Sequence, residues 1–292
     1  MEIKGAVAFV TGANRGIGLE TAIAFARAGY QVFATMRNID KAIELKNKIA
    51  SESLPIAISV MDVDSDESVD RAMDTILELN GPVDVLVNNA GIERHGSVEE
   101  MELADFKSVM ETNYFGVLRC IKKVLPAMRE QRSGCIINIS SVAGRVANSP
   151  LGAYMATKFA LEAISESLAG EVKPYNIHVA IVEPGIISTD MARSVKRRKD
   201  SLYPQVNRFG GIFEESLKTP RPSTLVADKI LEIAESGTWI LRHPVGPDAQ
   251  PFIDWRASMT DEQWIDHNAA TDDEWYAATE RDFGMDLRKV NS

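Results

Sequence analysis

The sequence is poor in cysteine, with two thiols, Cys120 and Cys135, in 292 residues. Both sit in apolar runs (Leu118-Arg119-Cys120-Ile121 and Cys135-Ile136-Ile137) without the paired spacing of a zinc site. That excludes a disulfide scaffold, makes no metal expected, and points to buried thiols in a reducing compartment. Long apolar runs are missing too. The stretch Ala6 to Val10 meets Thr11-Gly12 at once, too short for a signal segment. Nothing elsewhere approaches the roughly 20 residues of a membrane span, so a cytoplasmic protein without such a span is expected. Positive charge is in deficit: 32 basic against 42 acidic residues give a net −10. Without a basic surplus to neutralise phosphates, nucleic acid and anionic membranes are excluded as main partners. What is present, 45% hydrophobic and 25% charged residues, suits a globular chain with a sizeable core and excludes disorder and collagen. The length allows one large α/β domain.

Short apolar runs alternate with stretches of helical periodicity. Strands are expected at Val7 to Val10, Gln31 to Thr35, Ile56 to Val60, Val83 to Val87, Cys135 to Ile139, His178 to Val182 and Trp239 to Leu241. Between them, helices are expected at Gly16 to Ala28, Glu67 to Leu79, Ala104 to Arg129, Tyr154 to Val172 and Ser223 to Ser236. Continuously apolar strands are buried on both faces, and parallel strands need such helical crossovers. The expected fold is therefore α/β, a Rossmann-type doubly wound parallel sheet of about seven strands with helices on both faces. Residues 1–245 carry this alternation and form one domain on this reading. Two regions break the rhythm. Residues 190–222 hold the basic run Lys196 to Lys199, Gly210-Gly211 and prolines 204, 220 and 222, and read as a mobile insertion. The basic run reads as a solvated face, with attraction of an acidic substrate as its functional alternative. Residues 246–292 hold 11 acidic and 4 basic residues and three of the four tryptophans. Thr260 with Gln263 and Thr271 with Glu274 are capping-box patterns, so this acidic extension is expected to carry two short helices. Its Trp255, Trp264 and Trp275 are candidates for core packing, a pocket lining or a subunit contact.

The first strand ends in Thr11-Gly12-Ala13-Asn14-Arg15-Gly16-Ile17-Gly18, directly ahead of a helix. Glycines let the backbone turn tightly and let a pyrophosphate approach the free N–H groups of the helix start. The spacing, G-x-x-x-G-x-G, resembles the short-chain dehydrogenase/reductase family. Further motifs of that family follow in order: Asn88-Asn89-Ala90-Gly91, Asn113, Ser141 at the end of the fifth strand, Tyr154 with Lys158, and Pro184-Gly185 with Thr189.

The resemblance implies that residues 1–245 are a dinucleotide-binding catalytic domain whose insertion at about 190–222 is a lid over the substrate, and it implies catalytic roles for Asn113, Ser141, Tyr154 and Lys158. It implies a nicotinamide dinucleotide held by Gly12, Asn14, Arg15, Gly16, Ile17, Gly18, Arg37, Asp62, Val63, Asn89, Ala90, Gly91, Tyr154, Lys158, Pro184, Gly185, Ile187 and Thr189. Lys158 also grips the nicotinamide ribose on this reading, Asn113 holds a water that passes protons to it, and the protein is a homo-oligomer, dimer or tetramer. The residues themselves make chemical sense of the pair. Tyr154 and Lys158, four apart, stand on one helix face, and an ammonium beside a phenol is expected to lower the phenol's pKa. Tyr154 is then the acid/base, and Ser141, at a strand's carboxyl end, can hold the substrate oxygen.

Coenzyme choice is read at Thr35-Met36-Arg37-Asn38, where an NAD enzyme would place a carboxylate. Arg37, with Arg15 inside the glycine loop, suits a 2′-phosphate and makes NADP(H) the expected coenzyme. The expected activity interconverts a carbonyl and an alcohol on a small-molecule substrate. The segment Phe33 to Asn38 and the long tail resemble the branch with 17β-hydroxysteroid and retinol dehydrogenases, which implies a hydrophobic ketone or alcohol such as a steroid or retinoid. The alternatives are a catalytically silent dinucleotide sensor or scaffold and a nucleotide-sugar epimerase or dehydratase. His95, after Asn88 to Gly91 and near the cofactor side, reads as structural or solvated.

Overall fold

The continuous apolar runs form the seven strands β1 (Val7–Thr11), β2 (Gln31–Met36), β3 (Ile56–Val60), β4 (Val85–Asn88), β5 (Gly134–Ile139), β6 (Ile177–Pro184) and β7 (Arg242–Val245). In this computed structural model, which describes residues 5–288, they pair in parallel in the order β3-β2-β1-β4-β5-β6-β7. The ends of the two regions delimited above, residues 1–4 and 289–292, lie outside the described residues. The helices are α1 (Gly16–Arg27), α2 (Ile43–Glu52), α3 (Asp66–Asn80), α4 (Leu103–Met110), α5 (Gly116–Gln131), α6 (Gly152–Val172), α7 (Asp190–Ser194), α8 (Pro204–Ser216), α9 (Thr224–Ser236), α10 (Ala249–Ala257), α11 (Asp261–Ala269) and α12 (Asp272–Phe283).

Every residue of β1 and β5 is buried, because the sheet carries a core on each face. On one face, Leu19, Ile23 and Phe25 of α1 and Val226 and Ile230 of α9 close over Val10, Val32 and Val85. On the other, Val69 and Met73 of α3, Val117 and Val124 of α5 and Leu161 of α6 close over Phe9, Leu86 and Ile136. Strand order reverses between β1 and β4, and a crevice opens beyond the carboxyl ends of the strands at such a point.

Several elements differ from the sequence expectation. The last strand lies at Arg242–Val245 and not at Trp239 to Leu241. Trp239 instead stacks on His178 at 3.8 Å and receives the Lys173 ammonium, while polar β7 is an edge strand, where Pro244 costs no ladder bond. The long helix expected at Ala104 to Arg129 is divided by a π-helical turn, Glu111–Phe115. Residues 190–222 are partly helical, in α7 and α8. The extension has its two capping boxes in place at Thr260 and Thr271, plus a third helix, α10. Helix α2 went unread because it buries only Leu45, too little for an apolar stripe. Both cysteines are buried free thiols, pushed up to about 12 by burial. Among the described residues no helix is long and apolar enough to cross a membrane, and no cluster of potential metal ligands occurs.

Candidate active site

The end of β1 turns on Gly12, at φ +66°, and again on Gly16, at φ +57°, conformations that residues with a Cβ rarely adopt. A Cβ on Gly12 would lie 2.8 Å from Ala90 Cα, and one on Gly18 would strike the Asn89 amide, so the loop packs directly on the Asn88 to Gly91 segment. That segment is tied down by Thr11, whose Oγ1 accepts from Asn89 N and Ala90 N at 3.0 and 2.9 Å. The Asn89 amide donates back to the Thr11 and Gly12 carbonyls. At the start of α1, Arg15 is extended and no side chain caps the helix. Its first N–H groups are thus open to an anion.

The loop faces a cavity of about 730 Å³, bounded also by Arg37, Asp62, Val63, Asn89, Ala90, Gly91, Ser141, Tyr154, Lys158, Pro184, Gly185, Ile187 and Thr189. Of the residues singled out from the sequence, Gly12, Asn14, Arg15, Gly16 and Ile17 line it too, whereas Gly18 and Asn113 stand behind its wall. The donor set fits a dinucleotide: a glycine cradle that side chains would fill, an uncapped helix start, and cations at one end. Arg15 there pairs with Asp190 at 3.3 Å, both exposed. Arg37 is exposed, and Lys41, which the sequence reading missed, joins it from a short turn that begins where Asn38 Oδ1 accepts Asp40 N. A second basic residue four positions after Arg37 was the available signal.

Asn113 lies buried in the π turn. Its Oδ1 accepts Ile92 N at 2.8 Å, and its Nδ2 donates to Ile92 O and to Thr157 Oγ1. The side chain thereby clamps the segment after Gly91 to α6, one residue from Lys158. Lys158 is buried and donates to Ile139 O at 2.7 Å. Burial pulls its pKa down to about 8, with Glu162 acting in the opposite sense. Tyr154 departs from the sequence expectation. Its phenol is raised well above the usual value, because burial, reinforced by the Glu93 carboxylate, outweighs the Ser141 hydroxyl that lowers it. The Lys158 ammonium stands 5.4 Å from the Tyr154 ring centre and is engaged by the Ile139 carbonyl. Ser141 Oγ accepts Ala143 N at 3.1 Å, which fixes it at the end of β5.

The opposite wall comes from α8 and the extension. Trp255 meets Trp264 edge-on at 5.3 Å and Phe283 at 4.9 Å. Trp264 Nε1 donates to Ala147 O, close to Ser141 in the chain. Buried Arg208 of α8 holds Asp272 at 2.7 Å and the Ala270 carbonyl at 2.8 Å, and stacks on Trp275. Asp248, ahead of α10, accepts Ile186 N at 2.7 Å, and a Cβ on Gly185 would run into its carboxylate. The basic run is not wholly a solvated face either: Arg197 is largely buried, on Glu214 and the Leu287 carbonyl. His95 sits beside Glu93 and Phe209, on the α8 side of the cavity.

Residues 6–200 match the family described as short chain dehydrogenase. Oxidoreductase BOA17 of Botryotinia fuckeliana (strain B05.10) is 35% identical over 272 residues, 90% of this chain and 98% of that protein. Retinol dehydrogenase 8 of Homo sapiens is 42% identical over 229 residues, 76% of this chain and 70% of that protein. Among solved structures, a gluconate 5-dehydrogenase from Burkholderia cenocepacia J2315, in complex with NADP and tartrate, superposes with a TM-score of 0.71 at 27% identity. That likeness covers 83% of this chain and 94% of the other.

Proposed function

We propose that this chain, which belongs to the short-chain dehydrogenase family, is an NADP(H)-dependent oxidoreductase that interconverts a carbonyl and an alcohol on a hydrophobic substrate. The carrying observation is that Ser141, Tyr154 and Lys158 share one cavity with the glycine loop and with Arg37. The bound nicotinamide supplies or accepts the hydride. Tyr154 moves the proton: burial keeps its phenol protonated, the state needed to donate to a developing alkoxide. Ser141 Oγ holds the same substrate oxygen, and Asn113 fixes the wall from behind. Lys158 spends one N–H on Ile139 O and keeps donors for the ribose hydroxyls. Arg37, Lys41 and Arg15 supply the charge for a 2′-phosphate.

The ring-rich far wall favours a substrate with a large apolar body, in keeping with the name of the retinol dehydrogenase relative. Residues 1–245 form the catalytic unit in this reading, and 246–292 an extension that shapes the substrate half. Exposed Phe115 and Phe159 leave apolar surface suited to a dimer or tetramer. The test is oxidation of NADPH and NADH in the presence of steroid and retinoid ketones and aldehydes. NADPH consumption with at least one of them is expected; absence of turnover together with absence of coenzyme binding sinks the proposal.

A further inference from the structure

One charged group in the cavity is explained neither by the coenzyme nor by proton transfer. Glu93, two residues beyond Gly91, lines the cavity with a side chain only 9% exposed. Its Oε1 is buried and accepts no hydrogen bond; His95 Nδ1 stands 3.3 Å away, off the line a hydrogen bond needs. Of the other carboxylates on the wall, Asp190 pairs with Arg15 and Asp62 accepts Asp64 N, while Asp248 accepts Ile186 N through Oδ2 and leaves its buried Oδ1, packed against Gly185, without a donor. A buried carboxylate oxygen without a donor is costly unless a ligand supplies one.

Glu93 belongs to the substrate half. The His95 ring beside it lies 6.2 Å from Phe209, and Phe209 packs in the cluster of Leu151, Met155 and Tyr154. The carboxylate's field also reaches the Tyr154 phenol. We propose that Glu93 is the polar anchor for the substrate: it accepts a hydrogen bond from a hydroxyl or ammonium group carried near the carbonyl of a compound whose remaining body is apolar. This rests on the oxidoreductase reading and narrows it from hydrophobic ketones to donor-bearing ones.

Three probes share one phenyl ketone and differ only in the donor on the carbon beside the carbonyl: acetophenone, 2-hydroxy-1-phenylethanone and 2-amino-1-phenylethanone, the last carried as its ammonium. Their binding is measured by calorimetry on the full chain in excess NADP+, where the ketone cannot be reduced, and NADPH oxidation is followed in parallel. A donor-bearing probe is expected to bind the wild type at least about tenfold more tightly than acetophenone, the size of a hydrogen bond to a charged group. In Glu93→Leu, or in Glu93→Ala where the leucine variant does not fold, that ratio should fall to within about twofold of one. Glu93→Gln keeps an acceptor without the charge, so it retains a preference for the hydroxyl and loses one for the ammonium, which identifies the donor. Equal binding of all probes to the wild type, no binding of any, or a preference that survives Glu93→Leu overturns the assignment. A preference without turnover counts against the oxidoreductase reading alone, and turnover without a preference counts against Glu93 alone.

Discussion

The two walls of the cavity are built on different principles. The wall at the strand ends is mostly backbone, with glycine turns, an uncapped helix start and a few polar side chains held by hydrogen bonds to nearby backbone. The wall from α8 and the extension is mostly rings, held by Arg208, Arg197 and the Trp264 indole N–H. Backbone turns demand particular residues at fixed spacings, whereas a wall of rings demands only bulk. In the proposed reading, chemistry and coenzyme choice therefore belong to the first, and substrate shape to the second.

The sharpest way to separate them is Tyr154→Phe, which removes one hydroxyl from the strand-end wall. kcat is expected to fall about 10²- to 10⁴-fold with coenzyme affinity retained, read by single-turnover kinetics and coenzyme titration. Near-normal turnover would move proton transfer elsewhere. Next is Arg37→Asp. A charge-assisted hydrogen bond contributes about 1.5–3 kcal/mol, or roughly 10- to 150-fold, so the preference for NADPH over NADH should collapse or invert. Arg15→Ala should do less, because Arg15 already has Asp190. Equal dissociation constants for the two coenzymes in the wild type would break the claim that this wall selects the phosphate.

The smallest effect tests the other wall. Arg208→Ala leaves the Ala270 carbonyl unpaired and Trp275 without its cation, costing about 1–3 kcal/mol of stability, visible in urea unfolding. KM for an apolar substrate should rise while coenzyme affinity holds. A fall in coenzyme affinity as large as the rise in KM would show the walls to be one unit.

This contrast also explains what was legible in the sequence. Six strands, their helices and the glycine loop follow from apolar periodicity and turn residues, which local physics enforces. Arg37 and Ser141 could be read because each sits at the end of a strand. The π turn was invisible, since one turn of wider hydrogen bonding carries no residue signature of its own. So was the side of the cavity to which His95 belongs, because only α8, far along the chain, defines it. The tyrosine's electrostatics misled for a related reason. Spacing shows that Lys158 is near Tyr154, but not that the Ile139 carbonyl has claimed the ammonium.

Asp248 carries a consequence for how such a chain can change over generations. Read alone, Gly185 looks fixed by the need for a tight strand end, yet the space its missing Cβ leaves is filled by the Asp248 carboxylate. The same carboxylate binds Ile186 N. Gly185 and Asp248 are therefore bound as a pair: a larger residue at the first becomes acceptable only after the second has shrunk, and shrinking the second first strips Ile186 N of its acceptor. Each single step is uphill, so substitution at either position waits on the other. A segment outside the sheet in this way holds in place a position at the carboxyl end of β6.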